Sequence, residues 1–363
     1  MSQISNVSRG RNVLHTPTGN GEGPGLAGAA AGLPPASPLR VSVLGVLAGP
    51  QVAGILDLVA AAAAADGLTP LSEHVLLHLR YGGDPRARNL LLLDGDGTLA
   101  GYAHLDPASP AEDPSGELVI HPARRRRGLG LALLRALLAE AGGRPLRLWA
   151  HGDLPGAAAL AASAGLQRVR SLWQMRRSLR EALAEPMLAA GVTVRPFEPG
   201  RDEDAWLELN AKAFARHPEQ GGWTRDDLSQ REREPWFDPA GFFLAERDGK
   251  LAGFHWTKVH GGQDAGPGPG QEPIGEVYVV GVDPAEQGTG LGRALTLIGL
   301  RYLRGRGLPA VMLYVDETNT AAIRLYESLG FTRYCTDVMF SNATSGRRPG
   351  DPLAGGSGRG GAR

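Results

Sequence analysis

Apolar and polar positions along the 363-residue chain run through the same succession twice. An apolar-periodic helix is expected over 51–66, followed by a strand pair over 89–93 and 99–104. A second helix over 204–215 precedes strands over 242–246 and 251–259. Each set continues into an apolar strand, a glycine turn and an amphipathic helix. A short apolar strand follows (146–150; 310–315), then a small helix ending at Gly165 or Gly330, and a last strand. Strands alternating with helices predict an α/β fold with a mixed, mostly antiparallel sheet flanked by helices in each copy. Pro122, Gly128 and Gly130 recur as Pro284, Gly290 and Gly292, each 162 positions on. One offset shared by strand, turn and helix start predicts two homologous domains in tandem.

Residues 1–38 and 342–363 are rich in Gly, Pro, Ser and Ala without hydrophobic period and read as disordered tails. The expected domains are 39–178 and 191–341, joined by a linker over 179–190 that contains Pro186. Hydrophobic residues make up 42%, as in a soluble globular protein. Lys+Arg and Asp+Glu balance at 38 each, so no global field recruits nucleic acid or an anionic membrane. The single cysteine, Cys335, cannot form an internal disulfide and suits a reducing compartment. The apolar stretch 52–65 is interrupted by Asp57 and too short to span a bilayer, and no secretion signal is evident. A cytoplasmic monomer is the resulting expectation.

The two glycine turns read Arg125-Arg126-Arg127-Gly128-Leu129-Gly130 and Gln287-Gly288-Thr289-Gly290-Leu291-Gly292. Each follows an apolar strand and opens a helix, so its amides are free to meet an anion at a helix N-terminus. Neither has the third glycine of a dinucleotide fingerprint or the Gly-Lys-Ser/Thr of a P-loop. Arg124–Arg127 is too short a run, without aromatics, to make a nucleic-acid surface, and its guanidinium groups suit phosphates. On the apolar strand 275–282 of the second copy stands Glu276, a carboxylate costly to bury without a function. Val280-Gly281-Val282 follows, with Gly281 allowing a close approach or a bulge.

These turns resemble the pyrophosphate loop of the GNAT superfamily of N-acetyltransferases. The second copy also carries Asn319-Thr320-Ala321-Ala322-Ile323-Arg324-Leu325-Tyr326-Glu327-Ser328-Leu329-Gly330-Phe331, similar to the superfamily's Asn-x-x-Ala-x-x-Leu-Tyr-x-x-x-Gly-Phe signature. The resemblance implies acetyl-CoA as co-substrate and no metal. It assigns Tyr326 as the acid that protonates the leaving thiolate, and Glu276 as the base that takes the amine proton. The implied coenzyme positions in the first copy are Leu118, Val119 and Ile120, with Arg126, Arg127, Gly128, Leu129, Gly130 and Leu131. In the second copy they are Val280, Gly281, Val282, Gln287, Gly288, Thr289, Gly290, Leu291, Gly292 and Arg293, with Asn319, Thr320, Ala321, Ala322, Ile323 and Arg324. Thr289 departs from the basic residue common in that loop. In the first copy Tyr326 falls on Ala161, Asn319 on Leu154 and Glu276 on Pro114. Glu117 is an odd number of positions from Pro114, which places it on the opposite strand face. The first copy is therefore expected to keep the phosphate loop without turning over.

Longer stretches narrow the resemblance. HPEQGGWT (217–224), WFDP (236–239), GFHWTKVH (253–260), WAHG (149–152) and QMRR (174–177) make the chain similar to the mycothiol synthase family, a tandem branch of the superfamily. That resemblance implies acetylation of the cysteinyl amine of a cysteinyl–glucosaminyl–inositol acceptor held by Glu73, Glu219, Lys258, Glu276 and Tyr314. A carboxylate-rich set suits an ammonium, and Lys and Tyr suit sugar hydroxyls. Trp223, Trp236 and Trp256 read as packing residues. His217, His255 and His260 have no zinc spacing, and residues 261–273 read as a flexible loop. A tandem acetyltransferase for another amine and a non-catalytic acyl-CoA sensor remain open at this level.

Overall fold

Some helices begin at side-chain caps, as those that follow Ser72, Thr224 and Asn319 do. The computed structural model describes residues 40–107, 113–215, 218–261 and 272–343; the two tails and most of the 261–273 loop lie outside them. In the first half, β1 (Arg40–Leu44) leads to α1 (Gly49–Asp66), with Pro50 in its first turn and left-handed Gly67 (φ 73°) at its end. Ser72 caps α2 (Glu73–Tyr81) by accepting a hydrogen bond from the Val75 amide. Then come β2 (Arg88–Leu93), β3 (Leu99–Asp106), β4 (Ser115–Ile120), α3 (Leu129–Glu140), β5 (Arg147–Ala150), α4 (Pro155–Ser163) and β6 (Gln167–Ser178).

The second half repeats the order: β7 (Val192–Pro196), α5 (Glu203–Ala213), α6 (Pro218–Gly221), α7 (Arg225–Glu232), β8 (Phe242–Arg247) and β9 (Lys250–His260). It ends with β10 (Ile274–Val282), α8 (Leu291–Gly305), β11 (Ala310–Asp316), α9 (Thr320–Ser328) and β12 (Thr332–Ser341). The segment between β6 and β7 carries neither helix nor strand. Among the described residues no helix is long and apolar enough to cross a membrane.

All described strands join one twelve-stranded sheet in the order β1-β2-β3-β4-β5-β12-β6-β11-β10-β9-β8-β7. The order is a palindrome about the β12–β6 pair at its centre. The last strand of each half has left its own half: β6 pairs with β11, and β12 pairs with β5. Only β4–β5 and β10–β11 are parallel pairs, as the mostly antiparallel sheet predicted.

The exchange extends into the cores. Phe340 and Val338 of β12 pack with Leu133, Leu134 and Leu137 of α3, while Met175 of β6 packs with Leu297, Leu300 and Leu303 of α8. The other sheet face is covered in the first half by α1 and α2, through Ile55, Leu58 and Val75 against Tyr102 and Val119. In the second half that face is aromatic. Trp206 of α5 meets Phe242, Phe254 and Trp256, all fully buried, with the Trp256 ring stacked 4.5 Å from Phe242.

Candidate active site

The site begins where the sheet opens. β10 pairs with β11 only over Gly275–Val277 and Val311–Leu313, yet β10 runs on to Val282 and β11 to Asp316. Beyond Val277 one edge of β10 has no strand against it, so Val280, Gly281 and Val282 present main-chain groups to a gap. A bulge lies here, but at Tyr278, where the register with β9 slips, rather than at Gly281. A Cβ on Gly281 would sit 2.6 Å from the Phe254 ring, so this glycine answers a close approach. β4 and β5 part in the same way after Glu117 and Trp149.

At the end of β10 the chain makes a 3₁₀ turn over Pro284–Glu286, held by Asp283 Oδ1 accepting from the Ala285 amide at 2.9 Å. Gly288 (φ 81°) and Gly290 (φ 85°) then take left-handed conformations, and Gly290 starts α8 without a side-chain cap. The first four amides of a helix have no intrahelical acceptor, so Leu291, Gly292 and Arg293 offer N–H groups to an anion. Both left-handed glycines have open space above them. This arrangement fits a pyrophosphate. The first half repeats it: His121 Nδ1 accepts from the Ala123 amide, Gly128 (φ 80°) starts α3, and Arg126 (φ 64°) stands where the second half has Gly288.

Not all of the expected phosphate ligands are free. Arg124 pairs with Asp94 and Asp96, and Arg125 grips both oxygens of Asp66 at 2.6 and 2.7 Å. Arg126 and Arg127 are exposed, with no ion pair among the described residues. Arg293 donates to Ser328 Oγ at 2.7 Å, tying α8 to α9, and Thr289 donates to the Glu286 carbonyl. Asn319 Oδ1 caps α9 by accepting from the Ala322 amide at 3.1 Å; Leu154, its counterpart, gives α4 no side-chain cap.

Side chains on β10 and β11 alternate between faces. Val277, Val311, Leu313 and Val315 turn toward α8 and α9, so Glu276, Met312 and Tyr314 face the opposite side. Glu276 is buried, with Oε2 2.6 Å from His260 Nε2. The Tyr314 hydroxyl accepts from Gln174 Nε2 at 2.7 Å, a contact supplied by the exchanged strand β6. Tyr314 is exposed as a residue, but its hydroxyl end is desolvated, and that burial with the Glu276 and Asp337 charges raises its pKa.

Lys258, across the ladder from Glu276, is buried and ion-paired with Glu73 of α2. Its ammonium lies 4.3 Å from the centre of the Trp236 ring. Glu73 also accepts from the Tyr278 hydroxyl at 2.6 Å, and that oxygen accepts from Arg231 Nε at 2.7 Å. Burial alone would raise the Glu73 carboxyl, but the Lys258 and Arg231 charges outweigh it and hold it below its ordinary value. Arg231 is stacked 3.9 Å over Trp223. Glu73, Lys258, Glu276 and Tyr314 therefore converge on one sheet face from both halves. Glu219 lies on α6, anchored by Asn210 hydrogen bonds to Gln220; its side chain is outside the described residues.

Tyr278, Arg231, Gln174 and His260 join this network without having been expected there. Period-two alternation around Glu276 and Lys258 carries the signal for Tyr278 and His260; nothing local carries it for Arg231 or Gln174. His255 is buried, with Nδ1 2.7 Å from the Leu295 carbonyl, and burial pushes it down to about 4. Cys335 is half-buried on β12.

Tyr326 occupies the other face, in the core beside Ile323 and Phe331, and its hydroxyl makes no hydrogen bond among the described residues. Desolvation pushes it up to about 12. Glu276 and Tyr326 therefore lie on opposite faces of the sheet, beside the place where β10 and β11 part.

In the first half one expectation is overturned. β4 lacks the Tyr278 bulge, so the strands are out of step by one residue and Glu117 faces α1 and α2, the counterpart of the face that carries Glu276. Glu117 is buried, accepts from the Ser72 amide at 2.7 Å, and lies 3.4 Å from His151 Nε2. His151 Nδ1 is 3.1 Å from Asp337 of β12. Burial opposes the imidazolium, but Glu117 and Asp337 on either side prevail and raise His151 to about 10. The carboxylate is thus engaged in an internal ion triad, and Ala161 leaves no phenol opposite it.

Comparison with known proteins agrees with this geometry. The acetyltransferase (GNAT) family model matches residues 60–165 and 204–331. A tandem GNAT protein from the clavulanic acid biosynthesis pathway has the same fold, with a TM-score of 0.64 at 23% identity, covering 84% of this chain and 98% of its own. A GCN5-related N-acetyltransferase from Sphaerobacter thermophilus gives a TM-score of 0.61 at 25% identity, over 84% of this chain and 95% of its own. The chain belongs to the acetyltransferase (GNAT) family and is an N-acetyltransferase of two tandem copies. Its place in that family is with the mycothiol acetyltransferases. The protein of that name from Thermobispora bispora is 65% identical over 286 residues, 79% of this chain and 94% of its own. That from Streptosporangium roseum is 59% identical over 338 residues, 83% of this chain and 98% of its own.

Proposed function

We propose that the second half transfers the acetyl group of acetyl-CoA to the cysteinyl amine of a cysteinyl–glucosaminyl–inositol acceptor, giving mycothiol and coenzyme A. The observation that carries this reading is the convergence of Glu73, Lys258, Glu276 and Tyr314 on one face beside the β10–β11 gap. The relatives' name, mycothiol acetyltransferase, supports it. Amides of Leu291, Gly292 and Arg293 hold the pyrophosphate, and the free edge of Val280–Val282 lines the path of the pantetheine arm. Gln287, Thr320, Ala321, Ala322 and Arg324 flank the coenzyme from the loop and α9. Glu276 removes the ammonium proton through a water molecule. The amine nitrogen then forms its bond to the acetyl carbonyl carbon as the carbon–sulfur bond breaks, Tyr326 gives its proton to the departing sulfur, and the nitrogen's second proton leaves to water, from which the phenol is restored. Both substrates are held at once, so no acyl-enzyme is needed. Glu73, Glu219, Lys258 and Tyr314 bind the hydroxyls and ammonium of the acceptor.

The first half holds a coenzyme at Arg126–Leu131 beside Leu118–Ile120 but does not turn over. Its carboxylate is neutralised by His151 and its phenol position is Ala161. The enzyme acts as a cytoplasmic monomer. Incubation of the pure protein with acetyl-CoA and the acceptor tests the substrate: coenzyme A release at saturating rates is expected. Background release with this acceptor, alongside rapid acetylation of an aminoglycoside or a peptide amine, would overturn it.

A further inference from the structure

We propose that His74, His104 and Asp106 form a binding site for a divalent transition metal of the zinc type. His104 and Asp106 stand two apart on β3 and share a face, while His74 comes from the first turn of α2. Both imidazole Nε2 atoms lie 3.0 Å from Asp106 Oδ1, and the three donor atoms fall within 4.8 Å of one another. Neighbouring ligands around a tetrahedral ion with bonds of about 2.0–2.2 Å stand roughly 3.3 Å apart. Two imidazoles and one carboxylate form a donor set suited to such an ion, with a fourth position open.

The hydrogen bonds behind His104 point the same way. Asn89 spends its Nδ2 on the Gly45 carbonyl at 3.2 Å, and its Oδ1 accepts from the Tyr102 hydroxyl at 2.7 Å. The Tyr102 oxygen, having given its proton to Asn89, meets His104 Nδ1 at 3.4 Å as an acceptor. His104 is fully buried, and its Nε2, 3.0 Å from the acceptor-only Asp106 carboxylate oxygen, donates its ring proton there in the metal-free protein. A divalent ion would displace that proton, and the Tyr102 oxygen is placed to accept one from Nδ1 of the metal-bound ring. An outer hydrogen bond that fixes a histidine tautomer is the usual companion of metal ligation. Of the three donors, His74 also lines a cavity of about 150 Å³, together with His78, Asp84, Asp226, Asp227 and Arg231. An ion at this place would pin the start of α2, where Glu73 reaches across to Lys258 and Tyr278.

Tag-free full-length protein, stripped with a chelator and titrated with Co(II), tests the site through the visible absorption of the bound ion. One equivalent per chain is expected, displaced by Zn(II). The site should be lost in His74→Ala and Asp106→Asn, weakened ~10–100-fold in Tyr102→Phe, and kept in His121→Gln. Zn(II) should raise the melting temperature of the wild type and not of His74→Ala, whose exposed position spares the fold. A wild type with no stoichiometric Co(II) band, or a His74→Ala protein that binds Co(II) as tightly as the wild type, would overturn the metal and leave His104 hydrogen-bonded to Asp106 alone.

Discussion

His260 touches one oxygen of Glu276 and leaves the other for the proposed proton transfer. As an N–H donor it holds the carboxylate in one rotamer, so base and positioning group can be separated by substitution. Glu276→Gln keeps the contact with His260 and loses the basicity, so kcat should fall ~10²–10⁴-fold while acetyl-CoA binding, measured by calorimetry, stays unchanged. Tyr326→Phe should lower kcat by ~10² or more. Because burial holds Tyr326 near 12, the loss should be constant across pH 6–9 in a pH–rate series. Lys258→Met strands Glu73 beside Tyr278. Breaking a buried pair costs about 3–5 kcal/mol, and the solvent access that Glu73 keeps brings the expected loss to roughly 2–3 kcal/mol in urea unfolding. The double variant with Glu73→Gln should recover part of it. Glu276 and Tyr326 were legible as residue types on a strand and a helix. The true face of Glu117 was not, because a bulge at Tyr278 is a main-chain slip that no side-chain pattern announces.

At the level of elements, the left-handed turn was readable because few residues accept its backbone, and Gly128, Gly288 and Gly290 all take it. Arg126 shows that a side chain can occupy one such place. Gly288→Ala should therefore fold, at a cost of ~1–2 kcal/mol, and raise the KM for acetyl-CoA more than it lowers kcat. Gly281→Ala differs in kind, since the added carbon meets the Phe254 ring. Unfolding should show ~1–3 kcal/mol of overpacking loss. α7 escaped the sequence reading for a physical reason. Its residues RDDLSQRE bury only Leu228 and Arg231, which leaves no apolar period to detect. The edge strands β1 and β7 are five residues each, too short for alternation to stand out. Helices α3 and α8, with continuous apolar faces, follow the glycine turns as expected.

For the whole molecule, the repeat predicted two domains and their internal order but not how they join. β6 and β12 each pair with the other half's fifth strand, a long-range choice set by tertiary context and not by local pattern. One pH dependence belongs to this scale, because Asp337 of β12 reaches across the exchange to His151. The folded His151 pKa, about 10, exceeds its unfolded value near 6.5. Its contribution is thus complete below about pH 6.5 and is lost as pH rises through 10. Urea unfolding at pH 7 and pH 10 should show a drop in stability that is absent in His151→Gln.

Because each copy finishes the other's sheet, the peptide connecting them has no mechanical duty once folding is complete. A protease site placed near Met187, which is highly exposed, should yield two polypeptides that elute together and still acetylate. Separation into independent halves after that cut would show the interlock to be weaker than its ladder of shared hydrogen bonds requires. For the same reason a gene encoding the first copy alone would leave β5 without its β12 partner, so duplication here binds the two copies to each other permanently.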